Sequence, residues 1–189
     1  MDISLQFEHD YEIEQIPERL NFVEYPKKVY YPGASQKGGK DGVELKVIPR
    51  NGEPWIGSFA YGHPRQSSLN KVMSCPNPQE VCVISSGAGY IVRVDNPLEW
   101  RAVRSIPTCD ARAIVTNRLL VLSDFTKLVA YGDAGIKWEA ANLSSDGITI
   151  TEIADSRLSL LAWDAASQKK LRVVIDLNDG SVLGRSVVQ

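Results

Sequence analysis

Residues 118–140 read RLLVLSDFTKLVAYGDAGIKWEA, and no other stretch limits the fold so tightly. An apolar run at 119–122 meets the polar break Ser123-Asp124-Phe125-Thr126. A second run at 128–131 meets Gly132-Asp133-Ala134-Gly135, and a third segment at 136–140 carries Trp138. Each run is too short for a packed helix, and each break is rich in turn formers, so the stretch predicts three short strands. Connections this short force neighbouring strands to run antiparallel.

The unit has an echo upstream. Shifted by 38 residues, positions 81–103 lie on 119–141 without a gap. Val83 falls on Val121, Ser85 on Ser123, Asp95 on Asp133, Trp100 on Trp138 and Ala102 on Ala140. Val81, Ile84, Ile91 and Leu98 meet Leu119, Leu122, Val129 and Ile136, so the apolar pattern is kept as well. Agreement of turn aspartate, tryptophan and apolar spacing predicts a repeat. A looser third copy follows: LSSDGITITE at 143–152, then strands at 157–163, 171–176 and 181–188, with a longer first turn at 164–170.

Upstream, Val43, Leu45 and Val47 alternate with Glu44 and Lys46, which predicts a half-buried strand. The turn PRNGEP at 49–54 leads into a second strand at 55–61. The first 42 residues read as an N-terminal strand and loop extension to one domain, 1–189, with about four modules in 43–189. Ile3-Ser4-Leu5-Gln6-Phe7 alternates as a strand does, while Pro17, Pro26 and Pro32 exclude a long helix. Tyr25, Tyr30 and Tyr31 are expected to pack that segment onto the body.

Modules of this period, each of three or four antiparallel strands, resemble β-propeller blades. LVAYGDAGIKWE resembles the strand-turn-strand element of quinoprotein-type blades, and Trp163-Asp164 the ending of WD-type blades. The resemblance implies an all-β, propeller-like fold. Six to eight blades need about 240 residues or more, so only a small or partial ring fits; a β-sandwich or barrel is the alternative.

The 189 residues carry a formal net charge of −2, which gives no electrostatic reason to expect nucleic acid or an anionic membrane as partner. No apolar run approaches a bilayer span, and MDISLQFEHDYEIE lacks signal-peptide features, so a cytoplasmic location is the default expectation. Cys75, Cys82 and Cys109 are odd in number and sparse, which favours reduced, partly buried thiols over a disulfide framework. With no CxxC and only His9 and His63, no zinc or other cofactor is expected.

Catalytic patterns are thin. SQKGGKDG at 35–42 has glycine and lysine but not phosphate-loop spacing, and reads as a surface loop. Asp124, Asp133, Asp176 and Asp179 sit where turn aspartates bond backbone amides. Trp55, Trp100, Trp138 and Trp163 recur about once per module, as packing residues would. The residues left for function are in the long connections, above all Tyr61, His63 and Arg65, an aromatic beside the one histidine–arginine pair in a long loop. The expectation is a non-enzymatic protein-binding protein of an immunity or regulatory kind, with a small hydrolase or ligand-binding enzyme around His63 as the alternative. Exposed edges of an unclosed sheet also invite pairing with a second copy.

Overall fold

In the chain order of the computed structural model, which describes residues 1–16, 27–33 and 40–188, strands follow one another with almost nothing else between. Tyr25, Pro17, Pro26 and positions 35–39 of the glycine-lysine loop lie outside the described residues. The N-terminal strands are β1 (Asp2–Ser4), β2 (Tyr11–Gln15), β3 (Lys28–Tyr31), β4 (Gly42–Pro49) and β5 (Trp55–Ala60). Next come β6 (Lys71–Ser74), β7 (Glu80–Ser85), β8 (Ala88–Arg93) and β9 (Trp100–Ala102). They are followed by β10 (Asp110–Ile114), β11 (Leu119–Ser123), β12 (Leu128–Gly132) and β13 (Gly135–Ala140). The last four are β14 (Ile148–Ala154), β15 (Arg157–Asp164), β16 (Lys169–Asp176) and β17 (Val182–Val187). A 3-10 turn, Val115–Asn117, links β10 to β11.

The strands form four small sheets, which bears out the all-β, modular reading. Sheet 1 has the order β2-β4-β5-β3, sheet 2 β1-β6-β7-β8-β9, sheet 3 β10-β11-β12-β13 and sheet 4 β14-β15-β16-β17. Neighbours are antiparallel except at the two pairings β3–β5 and β1–β6. These exceptions involve the segment expected as an extension: it supplies β2 and β3 to sheet 1 and β1 to sheet 2.

Three apolar cores lie between consecutive sheets. Tyr31, Leu45, Trp55 and Phe59 of sheet 1 meet Val81, Val83 and Val92 of sheet 2. Cys82, Ile84 and Ile91 on the other face of sheet 2 meet Leu120, Leu122 and Val129 of sheet 3. Leu119, Val121, Ala130 and Trp138 then meet Leu158, Leu160, Val173 and Ile175 of sheet 4. Sheets 2 and 3 are covered on both faces, so β7 and β11 are buried at every position and read as continuous apolar runs. Among the described residues no core cluster joins sheet 4 back to sheet 1. The chain is an open stack of four blade-like sheets.

The gapless 38-residue correspondence does not hold in three dimensions. It sets Val92 on Ala130 and Trp100 on Trp138, yet Val92 and Trp100 pack toward sheet 1 whereas Ala130 and Trp138 pack toward sheet 4. A shift of 37 preserves direction: Cys82, Ile84 and Ile91 fall on Leu119, Val121 and Leu128, and all six face the next sheet in the chain. The tryptophans also divide. Trp55 Nε1 donates to Val94 O at 2.9 Å and Trp138 Nε1 to Leu177 O at 2.8 Å, each joining one sheet to the next. Trp163, by contrast, lies on the outward face of sheet 4 and is exposed, a correction to its expected packing role.

No helix of the described residues is long and apolar enough to cross a membrane.

Candidate interaction loops

At the end of β5 the chain leaves sheet 1 for sheet 2, and the connection carries Tyr61, His63 and Arg65. Tyr61 N donates to Asp41 O at 3.0 Å, and Gly62 N to Ser85 O at 2.8 Å. Gly62 is needed there, because a Cβ would sit 2.4 Å from Ser86 O. The chain then turns: His63 O accepts from Gln66 N at 2.8 Å and from Ser67 N at 3.2 Å. Buried Ser67 donates its hydroxyl to Thr108 O at 2.6 Å, and Thr108 N donates to Gly87 O at 2.8 Å. Gly87 has φ +80° and would press a Cβ to 2.7 Å from Ser67 Cβ. Two glycines therefore let three segments converge: the loop after β5, the β7–β8 turn and the connection after β9.

These bonds hold the loop backbone in place while its side chains remain outside. Tyr61 is 51% exposed, and His63 and Arg65 are exposed beside it. The connection after β9 adds Ile106 at 64%, and the β11–β12 turn adds Phe125 at 36%. Residues 66–70, Cys109 and Phe125 line an open concavity of about 570 Å³. Ile106 and Phe125 were not legible as site residues. Their only signal is an apolar side chain in a polar, proline-bearing connection or a hairpin turn, and such positions are common in packed loops too.

Of the titratable groups near this end, the His63 ring makes no hydrogen bond or ion pair with any described residue. Cys109 donates weakly to Pro107 O at 3.4 Å, and burial, Asp124 and Asp110 all push its thiol up. Cys75 and Cys82 are free and buried away from the loops. Burial pushes the Cys82 thiol up to about 12, and the Cys75 thiol well above its ordinary value. A thiol held protonated is a poor nucleophile. Three of the four turn aspartates bond backbone amides as expected, whereas Asp133 instead accepts from the Arg118 guanidinium at 2.8 Å. Asp124 Oδ1 accepts from Thr126 N at 2.7 Å and Lys127 N at 2.9 Å, and Asp176 and Asp179 accept from Asn178 N and Ser181 N. Among the described residues no group of three or more His, Cys, Asp or Glu is placed to hold a metal ion.

No family model and no curated protein matches the chain. Among solved structures, all of the chain aligns with 54% of the N-terminal domain of Nup159, at a TM-score of 0.43 and 13% identity. It aligns equally with 55% of a chain in an S. cerevisiae complex of Dbp5, Nup159 and Gle1 with IP6 and ADP, again at 0.43 and 13%. The chain thus spans about half the length of these matched chains. The architecture stands on the strand pairing and core clusters given above.

Proposed function

We propose that this chain is a non-enzymatic protein-binding module, of the kind used in immunity or regulation. The observation that carries the reading is the combination of a pinned loop backbone with large exposed side chains. Tyr61, Ile106 and Phe125 project from segments that hydrogen-bond to one another beneath them. Holding loops in one conformation before binding removes part of the ordering cost of association. Tyrosine and other aromatics are enriched among residues that dominate protein interfaces. His63 and Arg65 supply the polar margin of the same surface, with Arg65 unpaired among the described residues and open to a carboxylate.

The test is recovery of a partner from the native source, comparing the wild-type chain with Tyr61→Ala and Ile106→Ser. A protein captured reproducibly by the wild type and lost at least about tenfold with either variant supports the reading. Equal capture by all three, or a hydrolytic activity abolished by His63→Ala, overturns it.

A further inference from the structure

The turn between β4 and β5, residues 50–54, carries Asn51-Gly52, an asparagine followed by the residue with no Cβ to obstruct its neighbour. The backbone nitrogen that follows an asparagine is a nucleophile held within reach of the side-chain amide. Attack requires an N–H not already donated, an amide not held elsewhere, and room for a five-membered ring. The turn meets all three conditions. Every residue of 50–54 is exposed. Gly52 N donates no hydrogen bond, and the Asn51 side chain makes none, among the described residues. Gly52 stands at φ +134°, and the nearest atom to the place a Cβ would occupy is Pro49 Cβ at 3.8 Å.

Comparable sites elsewhere in the chain are blocked. Gly147, after Asp146, donates its N–H to Phe125 O at 2.9 Å, and Gly180, after Asp179, donates to Asp176 O at 2.9 Å. Gly42, after Asp41, lies in β4 packed against the Phe59 carbonyl, which leaves no space for a ring. Asn77 and Asn96 precede prolines, which have no N–H to give up. Asn70 is held at both ends of its amide, by Ser86 N and Ser68 O. Asn142 precedes Leu143, whose N–H donates to Thr126 O at 2.9 Å.

We infer that Asn51 is a modification site at which the folded chain converts spontaneously to isoaspartate and aspartate. Hydroxide takes the Gly52 amide proton, and the nitrogen forms a bond to Asn51 Cγ. The Cγ–Nδ2 bond breaks, and Nδ2 leaves as ammonia after taking a proton from water. Water then opens the resulting succinimide by breaking one of the two bonds to its ring nitrogen. Opening at Cγ gives aspartate, and opening at the backbone carbonyl gives isoaspartate, whose main chain runs through the former side-chain methylene. One water enters and one ammonia leaves, with no redox change. The product adds one negative charge to a formal net charge of −2, next to Arg50, whose guanidinium meets Asp10 at 3.5 Å. The added methylene falls outside Val47–Trp55, the β4–β5 pair nearest the turn, so the ladder is kept. Tyr61 lies beyond the opposite end of β5, so the loop surface is independent of this site.

The experiment holds the folded full chain at about pH 8, where hydroxide draws the amide proton, and follows its peptides by mass spectrometry over time. The Asn51 peptide should gain the mass of an amide-to-acid exchange and split into two isomers. The larger of the two should resist a protease that cuts before aspartate, which marks it as isoaspartate. Conversion at Asn51 should be at least about tenfold faster than at Asn70 or Asn142, whose groups are held out of attack geometry. It should stay within about threefold of its own rate in urea, because the folded turn imposes no restraint that unfolding removes. Gly52→Ala should slow it at least about tenfold, in urea as well as in buffer, so that strain at φ +134° in the folded variant does not decide the result. Conversion in urea but not in the folded chain, a folded rate no greater than at Asn70 or Asn142, aspartate as the sole product, or a rate indifferent to Gly52→Ala each overturns the inference.

Discussion

Trp138, Leu177 and Gly180 form a small knot that shows how single residues tie one sheet to the next. The indole N–H needs a buried acceptor and finds Leu177 O, while Gly180, at φ +77°, lies so close that a Cβ would be 2.7 Å from Trp138 Cε3. Trp138→Phe should cost about 1–3 kcal/mol in urea unfolding, because a buried carbonyl loses its donor. Gly180→Ala should cost about 1–3 kcal/mol through backbone strain and overpacking. Trp100→Phe should cost less than Trp138→Phe, since Trp100 is half-buried, its ring contacts with Tyr31 and Tyr90 can be kept by a phenyl ring, and its indole N–H makes no hydrogen bond among the described residues. Equal losses at both tryptophans would contradict the opposed directions assigned to them. Burial also sets an alkaline limit. The Cys82 thiol is pushed up from 9.0 to about 12 and the Tyr131 phenol from 10.0 to about 12, chiefly by desolvation. A group whose folded value is raised contributes its stability fully below the unfolded value and loses it as pH rises through the folded one. Melting temperature should therefore hold up to about pH 9 and fall between about 9 and 12. In the same range below pH 9, thiol alkylation followed by mass spectrometry should label Cys109 first, and Cys75 and Cys82 only after unfolding.

The strands carry a second kind of tie between hairpins. Arg101 on β9 grips Glu80 on β7 with two bonds of 2.7 Å, and the Glu80 side chain is only 8% exposed. Arg101→Ala should destabilise by about 2–4 kcal/mol, because it leaves a largely buried carboxylate unpaired. Arg93→Ala breaks an exposed pair with Asp95 and should leave chemical unfolding unchanged. The contrast is measured with both variants under one denaturant series. Strand existence was legible from the sequence because turn residues at 123–126 and 132–135 punctuate the apolar runs. Strand direction was not. In β7 and β11 both faces are buried, so Val81-Cys82-Val83-Ile84 and Leu119-Leu120-Val121-Leu122 carry no polar residue to mark which side faces which neighbour. With period 2, a slip of one residue exchanges the faces without disturbing the apolar pattern, and the 38-residue alignment made that slip. The parallel pairings of β1 and β3 were hidden for a different reason: they join segments distant in sequence, and nothing local specifies such a pairing. The candidate loop was legible only as a loop. Its convergence with residues 105–109 depends on Ser67 and Gly87, whose roles exist only in three dimensions.

For the molecule as a whole, an open stack implies a gradient of stability that a closed ring would lack. Each interior sheet is held by two cores, sheet 4 by one, and β17 at its edge is exposed at all six positions. Its outer side offers unpaired backbone groups as well as bare side chains. Opening free energies follow buried apolar contact and exposure of the backbone bonds. Native-state hydrogen exchange should therefore rank the amides of β7, β8, β11 and β12 slowest, with β14 and β16 intermediate and β17 fastest. Uniform protection across all four sheets in the free chain would mean that sheet 4 is covered in solution by another part of the same assembly. That result would move the exposed edge from β17 to a different place and remove the gradient, because every sheet would then be held by two cores.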